Sequence, residues 1–161
     1  MIRHADAGDP ATWPGEDSVR PLSDKGERQA AKIAKSKELA SITELLSSPS
    51  LRCRQTVEPL AARLGLQIVL EDWLVTGASP LVAFNSLLER VSALSDGRSL
   101  AACTHGDLLE GFVASLEQID VPFESAPIVS KGAVIVLEVN DGEVARVAFR
   151  AAPKAHSRAT R

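Results

Sequence analysis

Residues 99–107 read Ser-Leu-Ala-Ala-Cys-Thr-His-Gly-Asp, a short apolar run that breaks into polar residues around a histidine. Ser99 to Cys103 has the length and composition of a buried strand, and the stretch from Asp107 to Ile119 behind it reads as a helix. The same order recurs along the chain. Leu45-Leu46 runs into Ser47-Ser48-Pro49, and Arg52 to Leu64 follows with Val57, Leu60, Ala61 and Leu64 at helical spacing, stopped by Gly65. Met1-Ile2 runs into Arg3-His4, and Ser23 can cap a helix reaching about Ala40, with Glu27 in its first turns. Gln67 to Leu70 forms another strand, and Pro80 opens a helix to about Leu94. Val134 to Val139 and Val144 to Phe149 flank Asn140-Asp141-Gly142, a hairpin turn signal.

Strands alternating with helices predict a three-layer α/β/α sandwich around a mainly parallel sheet, with an antiparallel C-terminal hairpin. No repeat or linker divides the chain, so residues 1–152 read as one domain and residues 153–161 as a small, basic, disordered tail. Only Met1 and Ile2 precede Arg3, so the first strand is either very short or cut at its beginning.

The composition of the 161 residues, 45% hydrophobic and 24% charged, is that of an ordinary globular domain able to bury a core. Eighteen Lys and Arg against 21 Asp and Glu leave a formal charge of -3, without the basic excess of a nucleic-acid or membrane-surface binder. No apolar run is long enough to span a bilayer and no secretory leader precedes Arg3. Cys53 and Cys103 lack metal-ligand spacing and read as reduced, buried thiols of a cytoplasmic protein.

Functional residues of parallel α/β sheets collect beyond the carboxyl ends of the strands. Arg3-His4, Ser47 to Arg52 and Thr104 to Asp107 each occupy such a position. If the three strands neighbour one another, two histidines and two arginines meet. Two guanidiniums present fork-shaped donors to phosphate oxygens, one neutral imidazole can attack phosphorus, and the second can donate to an oxygen.

Arg3-His4-Ala5, Ser47-Ser-Pro-Ser-Leu-Arg-Cys-Arg-Gln-Thr56 and Thr104-His-Gly106, in that order, resemble the histidine phosphatase superfamily with its phosphoglycerate mutase-like fold. Arg20 to Ala30 is similar to the family's first helix and its approach. The resemblance reaches about Ala152. It implies a metal-independent phosphohydrolase without cofactor, working through a phosphohistidine on His4. Arg3 and Arg52 would clamp the phosphoryl oxygens and His105 would be the second histidine. Apart from the resemblance, Ser48 reads first as a loop or cap residue and is also a candidate to line the substrate site. Arg54, about 200 degrees further round its helix, is left off the phosphate.

Many family members carry a glutamate that protonates the leaving oxygen. Here Thr76 stands about where that acid is expected, while Glu71 and Asp72 come slightly early. An alkoxide needs the proton; imidazole or phosphate leaves readily without it. Asp6, Asp107 and Glu71 are the candidates for a substitute acid. The absent glutamate, the compact length and the Arg-His-Ala-Asp-Ala-Gly opening are similar to the SixA-type phosphohistidine phosphatases. The chain also looks like the phosphatase half of enzymes that fuse a Nudix domain to this fold. The implied partner is a phosphorylated substrate such as a phosphohistidine-bearing protein, with no nucleic acid and no membrane. The alternatives are a phosphatase for nucleotides or sugar phosphates, and a phospho-ligand binding module without turnover.

Plainer roles stand beside these. His156 in the tail reads as solvated, Thr104 as a loop or cap residue, Trp13 and Trp73 as packing groups, and Lys131 as a solvated strand-end charge. Neither cysteine opens a Cys-x5-Arg loop, since Pro59 and Leu109 occupy the arginine positions, and no Walker loop or Asp-x-Asp pair occurs.

Overall fold

The computed structural model describes residues 1–95 and 97–154; His156 and residues 155–161 of the expected tail lie outside the described residues. Six strands form one sheet: β1 (Ile2–Arg3), β2 (Glu44–Ser47), β3 (Ile68–Leu70), β4 (Leu100–Thr104), β5 (Val134–Asn140) and β6 (Glu143–Arg150). Their order is β3-β2-β4-β1-β5-β6. The first four are mutually parallel, and β5 and β6 run antiparallel as the C-terminal hairpin. The helices are α1 (Asp24–Ile33), α2 (Leu51–Leu64), α3 (Pro80–Ser92) and α4 (Gly106–Gln118).

Strand periodicity builds the three layers. Successive side chains point to opposite faces, so Leu45, Ala101 and Cys103 join one core with Val57 and Leu60 of α2 and Ile33 of α1. Leu46 and Ala102 join a second core with Phe84 and Leu87 of α3 and Leu109 and Phe112 of α4. Phe84 and Phe112 meet edge to face, 4.8 Å between ring centres. The expected sandwich is the observed one.

The register decides the function. Cys103 of β4 lies opposite Ser47 of β2 on one side and Ile2 of β1 on the other. The carboxyl ends of β2, β4 and β1 therefore stand side by side, and the three polar segments that leave them share one edge of the sheet. β1 pairs over only two residues, and a groove of about 260 Å³ lined by Met1, Leu100, Ala101, Val136 and Leu137 opens between β4 and β5.

One boundary differs from expectation. The first helix ends at Ile33, not near Ala40, and a separate 3-10 turn covers Lys37–Leu39. Ser36 takes an extended backbone conformation that breaks the helix. Ile33, Ala34 and Leu39 still reach the same core, so the apolar pattern runs on through the break.

Candidate active site

Each polar side chain is delivered by a strand end and then held by bonds that leave part of it free. The His4 amide donates to the Thr104 carbonyl (2.9 Å), extending the β1–β4 pairing by one residue. The His4 ring donates from Nδ1 to the Ala5 carbonyl (2.8 Å). That bond fixes the tautomer, so Nε2 carries the lone pair. The ring centres of His4 and His105 are 5.4 Å apart.

His105 is held from two sides. Arg52 Nη2 lies 3.2 Å from Nδ1, and Ser48 Oγ lies 2.9 Å from Nε2. A guanidinium only donates, so Nδ1 accepts and Nε2 carries the hydrogen. Cys53 Sγ lies 3.5 Å from the same Nε2. Arg52 leaves the first turn of α2, where Thr56, one turn on, accepts the Ala5 amide and donates to the Arg52 carbonyl. This hydroxyl ties the loop that follows His4 to the helix that carries Arg52.

Arg3 donates from Nη1 to the Val129 carbonyl. A Cβ on Gly106 would fall 2.5 Å from Arg3 Cζ, so glycine at the start of α4 is what gives this guanidinium its place. The Nε atoms of both Arg3 and Arg52 are buried without a partner. A buried donor left unmade costs about 1–3 kcal/mol, and two such donors, on arginines whose charges reach His4, suit an anionic ligand. The N-termini of α2 and α4 add their positive dipole ends at the same edge.

Burial pushes His4 down from the usual 6.5 to about 3; the Ala5 carbonyl works against this, and Arg52, His105 and Arg3 reinforce it. The imidazole therefore keeps its lone pair throughout the neutral range. The unfolded chain binds a proton at His4 below pH 6.5 and the folded chain does not until about pH 3. This residue should thus remove about 2 kcal/mol of stability between pH 7 and pH 5. Denaturant titrations at the two pH values check it, and His4→Asn should flatten that part of the dependence.

The structure brings together Arg3, His4, Ser48, Arg52 and His105. The three substitute acids do not join them at the mouth, a cavity of about 280 Å³ lined by Ser50, Arg52, Val75 and Thr76 with Asp17 and Ser18. Asp6 accepts from Ser23 Oγ (2.7 Å) and the Gly8 amide, within 4 Å of Lys25 and Lys131. Asp107 accepts from the Gly77 amide (2.8 Å), pinning the loop that carries Thr76. Glu71 accepts from Trp73 Nε1 (2.9 Å). Thr104 Oγ1 donates to the Leu74 carbonyl, Trp13 Nε1 donates to the Glu16 carbonyl, and Lys131 reaches the Gly8 carbonyl.

Asp17, Arg20, Cys53 and Thr56 escaped the sequence reading. Thr56 had a signal, standing four residues after Arg52 on one helix face. Asp17 had none, and Arg20 entered only as the start of the stretch that approaches the first helix. Both lie on a short 3-10 turn, Asp17–Val19 and its C-cap, that only folding brings to Arg52. Among the described residues, no three His, Cys, Asp or Glu side chains cluster to hold a metal ion, and no helix is long and apolar enough to cross a membrane.

A family model described as "Histidine phosphatase superfamily (branch 1)" matches residues 1–75. An 8-oxo-(d)GTP phosphatase of Mycolicibacterium smegmatis is 28% identical over 95% of this chain, which spans only 48% of that relative's length. An uncharacterised protein of Picosynechococcus is 37% identical over 68% of this chain and 67% of its own. Among solved structures, the protein histidine phosphatase SixA complexed with tungstate superimposes with a TM-score of 0.70 at 22% identity, covering 92% of this chain and 91% of that one. The fold is the phosphoglycerate mutase-like one.

Proposed function

We propose that this chain, which belongs to the histidine phosphatase superfamily, is a phosphohydrolase that transfers an activated phosphoryl group to His4 and then to water, with phosphohistidine on a protein as its favoured substrate. His4 Nε2 attacks phosphorus and the bond to the leaving nitrogen breaks with its electron pair, the imidazole departing neutral because its other ring nitrogen already carries a proton taken up from solvent. Arg3 and Arg52 neutralise the oxygens, and His105 holds Arg52 in place. Water then cleaves the phosphohistidine to inorganic phosphate and restores the imidazole.

The observation that carries this reading is the free Nε2 of His4 beside two unpartnered guanidinium hydrogens. The leaving-group side supports the choice of substrate. Thr76 lines the mouth, and the one carboxylate there is Asp17 among the described residues. Burial would raise its pKa, but the Arg20 hydrogen bond and the Arg52 charge outweigh this and hold it below the usual carboxylate range. It carries no proton to lend, so the leaving group must depart without one. Leu81 and Val82, just beyond the Thr76 loop, are exposed apolar side chains suited to contact with a protein substrate. The similarity to the mycobacterial 8-oxo-(d)GTP phosphatase favours a second reading, cleavage of a nucleotide anhydride.

The test is a panel of phosphoramidate, a phosphohistidine peptide, a nucleoside triphosphate and an alkyl phosphate, with alkaline quench to preserve the acid-labile label on His4. Phosphoramidate should exceed the alkyl phosphate at least about 100-fold in kcat/KM, the scale of a general-acid contribution. Preference for the alkyl ester would reveal a working acid, preference for the triphosphate would select the second reading, and binding without label would leave a non-catalytic module.

A further inference from the structure

From the bonds around Arg52, we propose that Asp17 is a positioning residue, holding the outer edge of that guanidinium so that its Nε hydrogen is presented to the phosphoryl group. The inference rests on the proposal that Arg52 holds the phosphoryl oxygens.

Arg52 is only 3% exposed, and a buried guanidinium needs a counter-charge. Asp17 is the one carboxylate within salt-bridge distance of it among the described residues, with Oδ2 2.8 Å from Nη2. The same residue takes a second bond, because its backbone carbonyl accepts from Nη1 at 2.6 Å. With His105 Nδ1 also on Nη2, both terminal nitrogens are engaged and Nε alone lacks a partner. That pattern orients the fork: Nη2 and one hydrogen of Nη1 are tied down, and Nε is the one nitrogen left wholly free.

Asp17 is itself braced. Its Oδ1 accepts from Arg20 Nε at 2.8 Å, and Arg20 Nη1 donates to the Ala7 carbonyl at 2.6 Å, three residues beyond His4. One carboxylate thus links the loop that carries the nucleophile to the helix that carries Arg52. A carboxylate that merely filled the anion site until substrate displaced it would be tethered once. Here Asp17 is held by two arginines, and swinging out its side chain would still leave its carbonyl on Nη1.

The experiment is a double-mutant cycle of Asp17→Ala and Arg52→Ala, with Asp17→Asn as the conservative variant. Two readouts are taken, tungstate affinity by calorimetry and kcat/KM for phosphoramidate. Asp17→Ala should weaken tungstate binding and lower kcat/KM by about 30-fold, within the range for one lost charge-assisted hydrogen bond. Asp17→Asn, whose amide oxygen still accepts from Nη2, should recover most of it. In the Arg52→Ala background Asp17→Ala should have no further effect, because its action passes through Arg52. Circular dichroism and thermal midpoints establish that each variant is folded, and Asp17→Asn serves alone if Asp17→Ala is not. Equal losses in both backgrounds, failure of the folded asparagine variant to recover, or tighter tungstate binding by Asp17→Ala would overturn the proposal. A wild-type chain that binds tungstate but never labels His4 would sink the phosphatase reading while the cycle on binding still decides the role of Asp17. A wild-type chain that does neither would overturn both.

Discussion

His4→Asn is expected to abolish the covalent label and lower kcat/KM by about four orders of magnitude or more, with the fold retained. The size follows from the kind of group removed. If His4 forms the covalent bond as proposed, its loss closes the two-step route, and the residual rate is only what oriented donors provide. Asparagine is the informative replacement. Its amide can still donate to the Ala5 carbonyl, as His4 Nδ1 does over 2.8 Å, but it offers no basic nitrogen to phosphorus. His4 is 6% exposed, so the smaller side chain leaves a small void and a modest stability loss at neutral pH. Stopped-flow turnover with phosphoramidate, labelling and a denaturant titration separate the two effects. A variant that still turns over at a tenth of the wild-type rate would mean that another group attacks.

Arg52→Lys is expected to lower kcat/KM by about 10²–10³-fold, the scale for removing a preorganised charge donor. The total charge is unchanged, so a purely Coulombic role predicts a small effect. Geometry predicts a large one. Arg52 serves the Asp17 carbonyl, the Asp17 carboxylate and His105 Nδ1 at once and keeps its Nε for a fourth partner. An ammonium on a flexible stem cannot span those positions. It would also leave His105 Nδ1 without its donor, freeing the ring to change tautomer. Arg54→Lys is the matched control, because Arg54 is exposed on another face of the same helix; it should stay within about twofold, as surface substitutions usually do. Comparable losses in the two variants would show that α2 needs its arginines for stability, not for the anion.

Much of this was legible before folding. The apolar pairs Leu45-Leu46 and Ala101-Ala102 were legible as buried strand, while the face each residue takes came from the packed sheet. Gly65 closed α2 in the left-handed conformation at φ 67, as a C-terminal glycine does. Arg3, His4, Ser48, Arg52 and His105 were legible because each stands at the end of an apolar strand or in the few residues that leave it, a position read from sequence order alone. The first helix was overextended for the same reason: apolar spacing records which face is buried, and it continues across a break at Ser36 that the backbone makes.

Residues 99–107 by themselves determined a strand, a turn and a helix, with His105 between them. They did not determine their neighbours. Parallel pairing placed β4 between β2 and β1, and only that register set His105 5.4 Å from His4 and 3.2 Å from Arg52. The tautomers of both rings, the need for glycine at position 106 beside Arg3, and the hold of Asp17 on Arg52 were likewise decided by tertiary contact. The physical reason is range. Strand and helix propensities act over a few residues, whereas hydrogen bonds and charges act across whatever distance in sequence the packed core has closed, 35 residues between Asp17 and Arg52 and 53 between Arg52 and His105.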